Sequence, residues 1–460
     1  MTHRLNPAAL REYDIRGVVG DTLTAADVRA IGHSFGTIVR RAGGKTVCLG
    51  RDGRLTSAEL AAAASDGLRA AGCDVRDIGL GPSPMLYFSV FDSGADAGLM
   101  VTGSHNPADW NGIKLMLGHQ PFHGAAIQAL GAMAAAGDWE SGAGSLTADP
   151  GLIDRYVEAL LADFRGGEFT IAWDCGNGAA GPVVERLVQR LPGTHHLLFS
   201  DVDGRFPNHH PDPTIEANLA DLKRAVQAHG CDFGVAFDGD ADRIGAVDGL
   251  GRVVWGDQLL GILAEPVLRE LPGSAIIADV KASQALFDRI AALGGVPDMW
   301  KSGHSLMKER LQQLKAPLAG EMSGHIFFAH RWHGVDDGIL AALRLIEAVA
   351  AQGGSLTALK DAMPAVINTP ELRFECPESR KFGVVAEVLD RLQADGARVN
   401  AIDGARVMRD DGWWLLRASN TQAALTARVE ATDAAALARL LAELNAQLAL
   451  SGIEPVRFPP

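Results

Sequence analysis

The run Phe233-Gly234-Val235-Ala236-Phe237 is short and apolar, and it stops abruptly at Asp238-Gly239-Asp240-Ala241-Asp242-Arg243. Such a run, bounded by a polar, glycine-containing turn, reads as a buried strand whose carboxyl end opens into a loop. The same grammar recurs along the chain. Phe169-Thr170-Ile171-Ala172-Trp173 ends in Asp174-Cys175-Gly176-Asn177-Gly178, and a helical pattern near 183–191 lies between it and 233–237. Upstream, Thr46-Val47-Cys48-Leu49-Gly50-Arg51-Asp52 is followed by an Ala-rich helical pattern from Ser57 to Ala71. A second run, Gly98-Leu99-Met100-Val101, then ends in Thr102-Gly103-Ser104-His105-Asn106-Pro107. Downstream, Ala275-Ile276-Ile277-Ala278 leads to Asp279-Val280-Lys281. A helical pattern at 283–293 and the run 316–319 follow, closed by Gly320-Glu321-Met322-Ser323-Gly324-His325.

Three copies of strand, helix and strand form an internal repeat. They imply an α/β fold of βαβ units in largely parallel sheets, whose ligands collect at the carboxyl ends of strands. All three polar loops lie at that end, so three similar domains around one central cleft would bring them together. Composition shifts at the small-residue stretch 141–145, at the turn 249–251 and at Met363-Pro364-Ala365. The expected units are α/β domains at 1–149, 150–251 and 252–364, with mixed sheets, and an α+β domain at 365–460. In the last, strands are expected at 371–374, 398–402, 413–417 and 424–430, with helices at 377–392 and 433–450. Its loop Arg417-Ala418-Ser419-Asn420-Thr421 is poised toward the cleft.

Lys and Arg number 42 against 56 Asp and Glu, a formal charge of −14, which argues against general nucleic-acid binding. A chain 47% hydrophobic and 21% charged buries large cores, which excludes disorder as its main state. Cys48, Cys73, Cys175, Cys231 and Cys376 stand singly, without a C-x-x-C pair, so neither a disulfide framework nor a zinc site is indicated and a reducing cytoplasm is expected. The N-terminus has no apolar segment of the secretory kind. The longest stretch without a charged residue, 115–137, carries two histidines, two glutamines and several glycines; it reads as a loop plus an Ala-rich helix, a poor membrane span. No extended apolar interface pattern is visible, and a monomer is expected.

Asp238, Asp240 and Asp242 alternate directly after a strand, where an extended backbone would point three carboxylates to one side, as hard cations require. Arg243 and Gly249 stand where an EF-hand needs Gly and Glu, so that loop is excluded. An acidic solvated turn is the competing reading, but three mutually repelling carboxylates favour a Mg²⁺ site. Ser104, between a glycine and a histidine at a strand end, is a candidate nucleophile or phosphate carrier. Taken alone, its motif reads equally as a turn whose serine and asparagine bond their own backbone. Arg16, Lys114, Arg243, Lys281, His304, His325 and Arg417 fall on the same loops and would make an anion cleft despite the negative net charge. Two imitations are set aside. Gly32-His33-Ser34-Phe35-Gly36 matches a hydrolase elbow but lies inside the helical run 25–41, and Gly43-Gly44-Lys45-Thr46 lacks the first P-loop glycine.

Together these motifs resemble the α-D-phosphohexomutase superfamily over essentially the whole chain, and within it the phosphomannomutase/phosphoglucomutase group. The four loops at 102–107, 238–243, 320–325 and 417–421 match its phosphoserine, metal, sugar and phosphate-binding loops in order. The resemblance implies four domains around a cleft, a phosphoryl group on Ser104, and Mg²⁺ held by Asp238, Asp240, Asp242 and a phosphoserine oxygen. It implies proton transfer and charge stabilisation by Arg16, Lys114 and His325, with Arg243 orienting the phosphoserine loop. Glu321 and Ser323 would grip sugar hydroxyls. Arg417, Ser419, Asn420 and Thr421 would hold the other phosphate, and Tyr13, His105, Lys281 and His304 would complete the substrate pocket. The implied reaction is reversible transfer between C1 and C6 of mannose and glucose phosphates through a bisphosphorylated sugar, with glucose 1,6-bisphosphate as activator and a hinge near 363–370. A phosphoglucosamine mutase, a magnesium phosphatase with Asp238 as nucleophile, and a non-catalytic sugar-phosphate sensor are the alternatives.

Overall fold

The structure, a computed structural model, describes residues 2–420 and 423–456 of the 460-residue chain. Four sheets follow one another along it. In the first, Ala97–Val101, Thr46–Arg51, Asp74–Leu80 and Leu146–Ala148 run parallel, while Trp110–Leu117 returns antiparallel to Ala97–Val101 and carries Ile15–Val18 outside it. The second has Phe233–Phe237, Phe169–Asp174 and Gly193–Leu198 parallel, with Ile244–Asp248 antiparallel to Phe233–Phe237. The third repeats this with Leu318–Gly320, Ala275–Asp279 and Val296–Trp300 parallel and Ile326–Phe328 antiparallel. The fourth is antiparallel throughout and packs against the helices Glu378–Ala394 and Ala434–Leu450.

Each of the first three sheets is therefore mixed, as the sequence led us to expect, with the antiparallel pairs added to the parallel ones of the repeat. The cause lies in the polar loops. A parallel crossover needs a dozen or more residues, and these loops are too short for one, so the strand after each can only turn back. The loops at 102–109, 238–243 and 321–325 consequently occupy one topological position in three domains, between a parallel strand and its antiparallel neighbour.

Three expectations change. The stretch 141–145 is no spacer: the amides of Gly142 and Gly144 bond the carbonyls of Ala70 and Arg69, and the strand Leu146–Ala148 still belongs to the first sheet. The turn 249–251 closes a hairpin inside the second sheet, since Val253–Val254 pairs back on Ile244–Asp248; a Gly-Leu-Gly turn signals hairpin and linker alike. The segment 115–137 begins as the end of the strand Trp110–Leu117 before its helix Ala125–Ala136.

The helix Ala25–Arg41 contains both glycines of the false hydrolase motif and packs on Ser57–Ala70. A methyl on Gly32 would lie 2.5 Å from the Ala64 carbonyl oxygen, and one on Gly67 would lie 2.1 Å from that of Arg29. These glycines let two backbones touch. Gly67→Ala is accordingly expected to destabilise the protein by about 1–3 kcal/mol, the range for overpacking a filled core, read as a lower midpoint in chemical unfolding.

One apolar core joins Tyr87 and Phe88 of the first domain to Trp173, Phe233 and Phe237 of the second and to Ile276, Phe328 and Ile339 of the third. The fourth domain has its own core and meets the third through a small cluster of Val280, Trp413 and Leu415. The chain enters it through 363–366, because Ile367–Asn368 and the Thr369 amide already bond the strand Ala424–Ala431. Among the described residues no helix is long and apolar enough to cross a membrane.

Candidate active site

Ser104 lies within the first domain's loop with φ +50, a left-handed conformation that costs a non-glycine residue about 1–2 kcal/mol. Its neighbours fix it there. The buried Arg54 guanidinium donates to the carbonyls of Ser104 (2.7 Å), Asn106 (2.6 Å), Pro107 (2.5 Å) and Trp110 (3.0 Å). The Asp52 carboxylate accepts from the Thr102 hydroxyl and the Gly103 amide. Neither Asp52 nor Arg54 was singled out in the sequence, although Asp52 closes a strand beside Ala97–Val101. Ser104 Oγ donates to Asp238 Oδ2 at 2.9 Å and lies 3.1 Å from His105 Nδ1. Burial, with the charges of Arg243 and Arg16, holds His105 well below the ordinary histidine range, so its ring is neutral.

Asp238, Asp240 and Asp242 are fully buried and bring one oxygen each within 4.8 Å of the others. The backbone here is not extended: Ala241 has φ +57 and its amide bonds the Asp238 carbonyl, so a turn converges the carboxylates. Lys114 Nζ stands 2.6 Å from Asp240 Oδ2 and also bonds Asp242; Ser83 donates to Asp240 at 2.5 Å. Burial disfavours charge on Lys114, but Asp240 and Asp242 outweigh it and hold the ammonium well above the usual lysine value. Burial followed by the charges of Asp240 and Asp242 pushes Asp238 well above the carboxylate range. Two more oxygens, Asp240 Oδ1 and Asp242 Oδ1, are buried with no hydrogen-bond partner. A buried, oxygen-only set with unpartnered acceptors fits a hard divalent cation such as Mg²⁺. The neighbouring group of Asp242, His325 and Asp336 fits a hard cation less well, because one of its three donors is an imidazole nitrogen rather than an oxygen.

The third domain's loop meets the second directly. Arg243 and His325 form a β-bridge, the Ile244 amide bonds the Gly324 carbonyl, and Arg243 Nε donates to His325 Nε2 at 2.9 Å. His325 Nδ1 faces Asp336 at 3.0 Å. On the first domain's side, Arg16 bonds Asp14 and reaches Asn106 beside Ser104 at 2.7 Å. Ser104, His105, Arg16, Lys114, the three aspartates, Arg243 and His325 thus form one connected set.

A second set adjoins it. The His304 ring lies 5.7 Å from that of His325 and 6.0 Å from Tyr13. Expected as a cation, His304 is instead held well below the usual histidine range by burial and by Lys308, so it offers a neutral ring. Tyr13 hydroxyl donates to the Ser302 carbonyl at 2.9 Å and accepts from Asn420 at 2.5 Å, joining the first, third and fourth domains. Gly303 is required beneath it: its φ is +134, and a Cβ would stand 2.4 Å from the Tyr13 ring. Its amide donates to Glu321 Oε1 at 2.6 Å. Arg417 is paired with Asp403, which also accepts the Ser302 amide. Lys281 Nζ lies 3.3 Å from Glu371 and 3.6 Å from Asp279. Burial opposes its charge, but these carboxylates keep it above the ordinary lysine value. Ser323 sits partly exposed on the third loop, Ser419 is buried at the end of the strand Gly412–Ala418, and Thr421 lies outside the described residues. Asp336, Lys308 and Asp403 were not found from sequence, since isolated charged residues carry no motif.

A four-domain α/β enzyme with a serine seated on an acidic triad and ringed by cations is the class that this fold and site define. Sequence models of the phosphoglucomutase/phosphomannomutase alpha/beta/alpha domains I, II and III match residues 8–139, 154–251 and 255–366, and the model of the C-terminal domain matches 371–447. A phosphomannomutase/phosphoglucomutase of Pseudomonas syringae pv. tomato is 42% identical over 439 residues, 95% of this chain and 94% of that one. One of Pseudomonas aeruginosa is 40% identical over 455 residues, 98% of each. The crystal structure of a phosphoglucomutase/phosphomannomutase family protein from Burkholderia thailandensis superposes with a TM-score of 0.92 at 41% identity, covering 97% of this chain and 98% of that one. The chain belongs to the phosphoglucomutase/phosphomannomutase family and is an isomerase. The phosphatase alternative gains nothing from these matches.

Proposed function

We propose that the protein moves a phosphoryl group reversibly between C1 and C6 of mannose and glucose phosphates, by way of a phosphoserine at Ser104 and a bisphosphorylated sugar. The observation that carries this reading is the seat of Ser104: its hydroxyl bonds Asp238 of the acidic triad, with Lys114, Arg243 and Arg16 close by. Fixed cations around a transferring phosphoryl group stabilise charge on its oxygens without reorganising.

In the first transfer the bond from phosphorus to Ser104 Oγ breaks while a bond forms from phosphorus to the free hydroxyl oxygen of the hexose 1-phosphate. The electron pair stays on Oγ, and the hydroxyl proton passes to His325 Nε2 once Arg243, whose Nε–H occupies that lone pair in the structure, turns from it to the phosphoryl oxygens. Lys114 and Arg16 remain cationic and stabilise charge. The bisphosphate then turns end for end, gives its other phosphoryl group to Oγ, and recovers the proton on the sugar oxygen it leaves. When bound by Asp238, Asp240, Asp242 and a phosphoserine oxygen, Mg²⁺ supplies neutralisation of the phosphoryl charge. Arg417, Ser419, Asn420, Thr421, Lys281 and Tyr13 hold the phosphate that is not reacting, with His105 and His304 as neutral partners in the pocket.

Glu321 and Ser323 bind the 3- and 4-hydroxyls, which mannose and glucose share, so the differing 2-hydroxyl goes unread and both epimers turn over. Residues 363–366 act as the hinge that lets the fourth domain open for reorientation. Glucose 1,6-bisphosphate activates by recharging Ser104. The protein works as a monomer in the cytoplasm, in keeping with five free, buried cysteines. Phosphorus NMR with Mg²⁺, a trace of glucose 1,6-bisphosphate and either hexose 1-phosphate is expected to report both 6-phosphates; release of inorganic phosphate alone would overturn the reading.

A further inference from the structure

The loop after the strand Ala275–Asp279 is gripped by the fourth domain through three successive carbonyls and one amide. Arg406 donates to the carbonyls of Val280 (2.7 Å) and Ala282 (2.8 Å), and Arg428 donates to that of Lys281 (2.5 Å). Glu430 Oε1 accepts the Gln284 amide at 3.0 Å while also accepting Trp413 Nε1 at 2.9 Å. Arg428 is further compensated by Asp257 at 3.3 Å, which takes the Ser283 amide, and it contacts Met322 of the 321–325 loop. Arg406, Arg428 and Glu430 are all buried, and Arg406 stacks on Trp413 with its guanidinium carbon 3.8 Å from the ring centroid. Three buried charged side chains on one loop exceed what holding two domains together requires, since apolar residues of similar volume do that at least as well.

The topology supplies a reason. Arg428 lies on the strand Ala424–Ala431, which leaves the loop after Ala418, and it is in register with Leu415 as Thr426 is with Arg417. The tip of this hairpin carries the candidate phosphate ligands Arg417, Ser419 and Asn420, while its stem holds the backbone of Lys281. Resting on the reading of Lys281 as a phosphate ligand, we propose that Arg428, with Arg406 and Glu430, is a positioning clamp that sets Lys281 against the phosphate loop. The phosphate pocket then keeps its spacing because ligands from two domains are fixed to one hairpin.

A double-mutant cycle on the full-length enzyme tests this with glucose 1-phosphate as substrate. Lys281→Met is expected to raise KM about 10-fold or more, the scale of a hydrogen bond to a charged group. Arg428→Met, which removes no group that touches the sugar phosphate, is expected to raise KM by a similar factor with kcat nearly unchanged, and the double variant to match the worse single variant. Arg428→Lys, keeping the charge and one donor, is expected to recover part of the loss; it also serves in the cycle if Arg428→Met does not fold. Multiplying effects in the double variant, or an unchanged KM in Arg428→Met, would overturn the clamp while leaving Lys281 as a ligand. An unchanged KM in Lys281→Met would overturn the phosphate-ligand reading of Lys281, and the clamp with it.

Discussion

Ser104→Ala lowers turnover by about 10³-fold or more, the scale seen when a nucleophile is removed from a site whose parts act as a unit. The alanine lacks the atom that carries the group, while Asp52 and Arg54 still shape the loop around it, because their bonds go to Thr102 and to backbone groups rather than to Ser104 Oγ. Binding of hexose phosphate should therefore survive. Steady-state assays with calorimetric titration of glucose 1-phosphate separate the two quantities. Turnover within 10-fold of the parent would place the transferred group elsewhere. Residual activity that rises with glucose 1,6-bisphosphate would point to a bypass in which that compound acts as donor.

Asp240→Asn comes next in size, and its signature is loss of metal dependence. Asp240 Oδ2 is occupied by Lys114 and Ser83, whereas Oδ1 is buried with no partner. Asparagine keeps the shape but removes one of three buried negative charges. We expect turnover to fall about 10²- to 10³-fold and the saturable response to Mg²⁺ to flatten, since hard cations are held by charge count as well as geometry. The melting temperature without Mg²⁺ should fall, because burial is outweighed by Lys114 and Ser83, which hold Asp240 well below the usual carboxylate range, so its charge stabilises the fold. A magnesium titration followed by both assay and differential scanning calorimetry checks this. Turnover that remains saturable in Mg²⁺ at the parent concentration would remove Asp240 from the ligand set.

The parts of the fold legible in sequence were those in which an apolar run meets a polar loop. The strands Phe233–Phe237 and Ala97–Val101 and the loops after them stand out because burial on both faces makes the run uniformly apolar. The strand Asp74–Leu80 alternates Asp74, Arg76 and Asp77 with apolar residues and was not read, and neither was Ala405–Arg409, where Arg406 looks like a surface residue. Arg406 is in fact buried, stacked on Trp413 and bonded to carbonyls of another domain, a pairing that spans more than a hundred residues and leaves no local signal. The mixed sheets expected from the sequence are present, and the brevity of the polar loops explains which pairs are antiparallel. In the site, Ser104 and the aspartates were found because they cluster in sequence. Arg54 acts on Ser104, Asp336 with Lys308 on His325, and Asp403 on Arg417, each from another element, and they become visible only when the chain is folded.

The proposed mechanism rests on Ser104 carrying the group that the sugar receives. Its most direct test is mass spectrometry of the intact protein and of the peptide containing Ser104, taken after incubation with glucose 1,6-bisphosphate and again after addition of excess hexose 1-phosphate to the desalted protein. One phosphoryl group, located on Ser104, is expected after the first step, and it disappears in the second as hexose bisphosphate forms. Full turnover with Ser104 unmodified throughout, or a phosphoryl group on Ser104 that the sugar cannot remove, would contradict it.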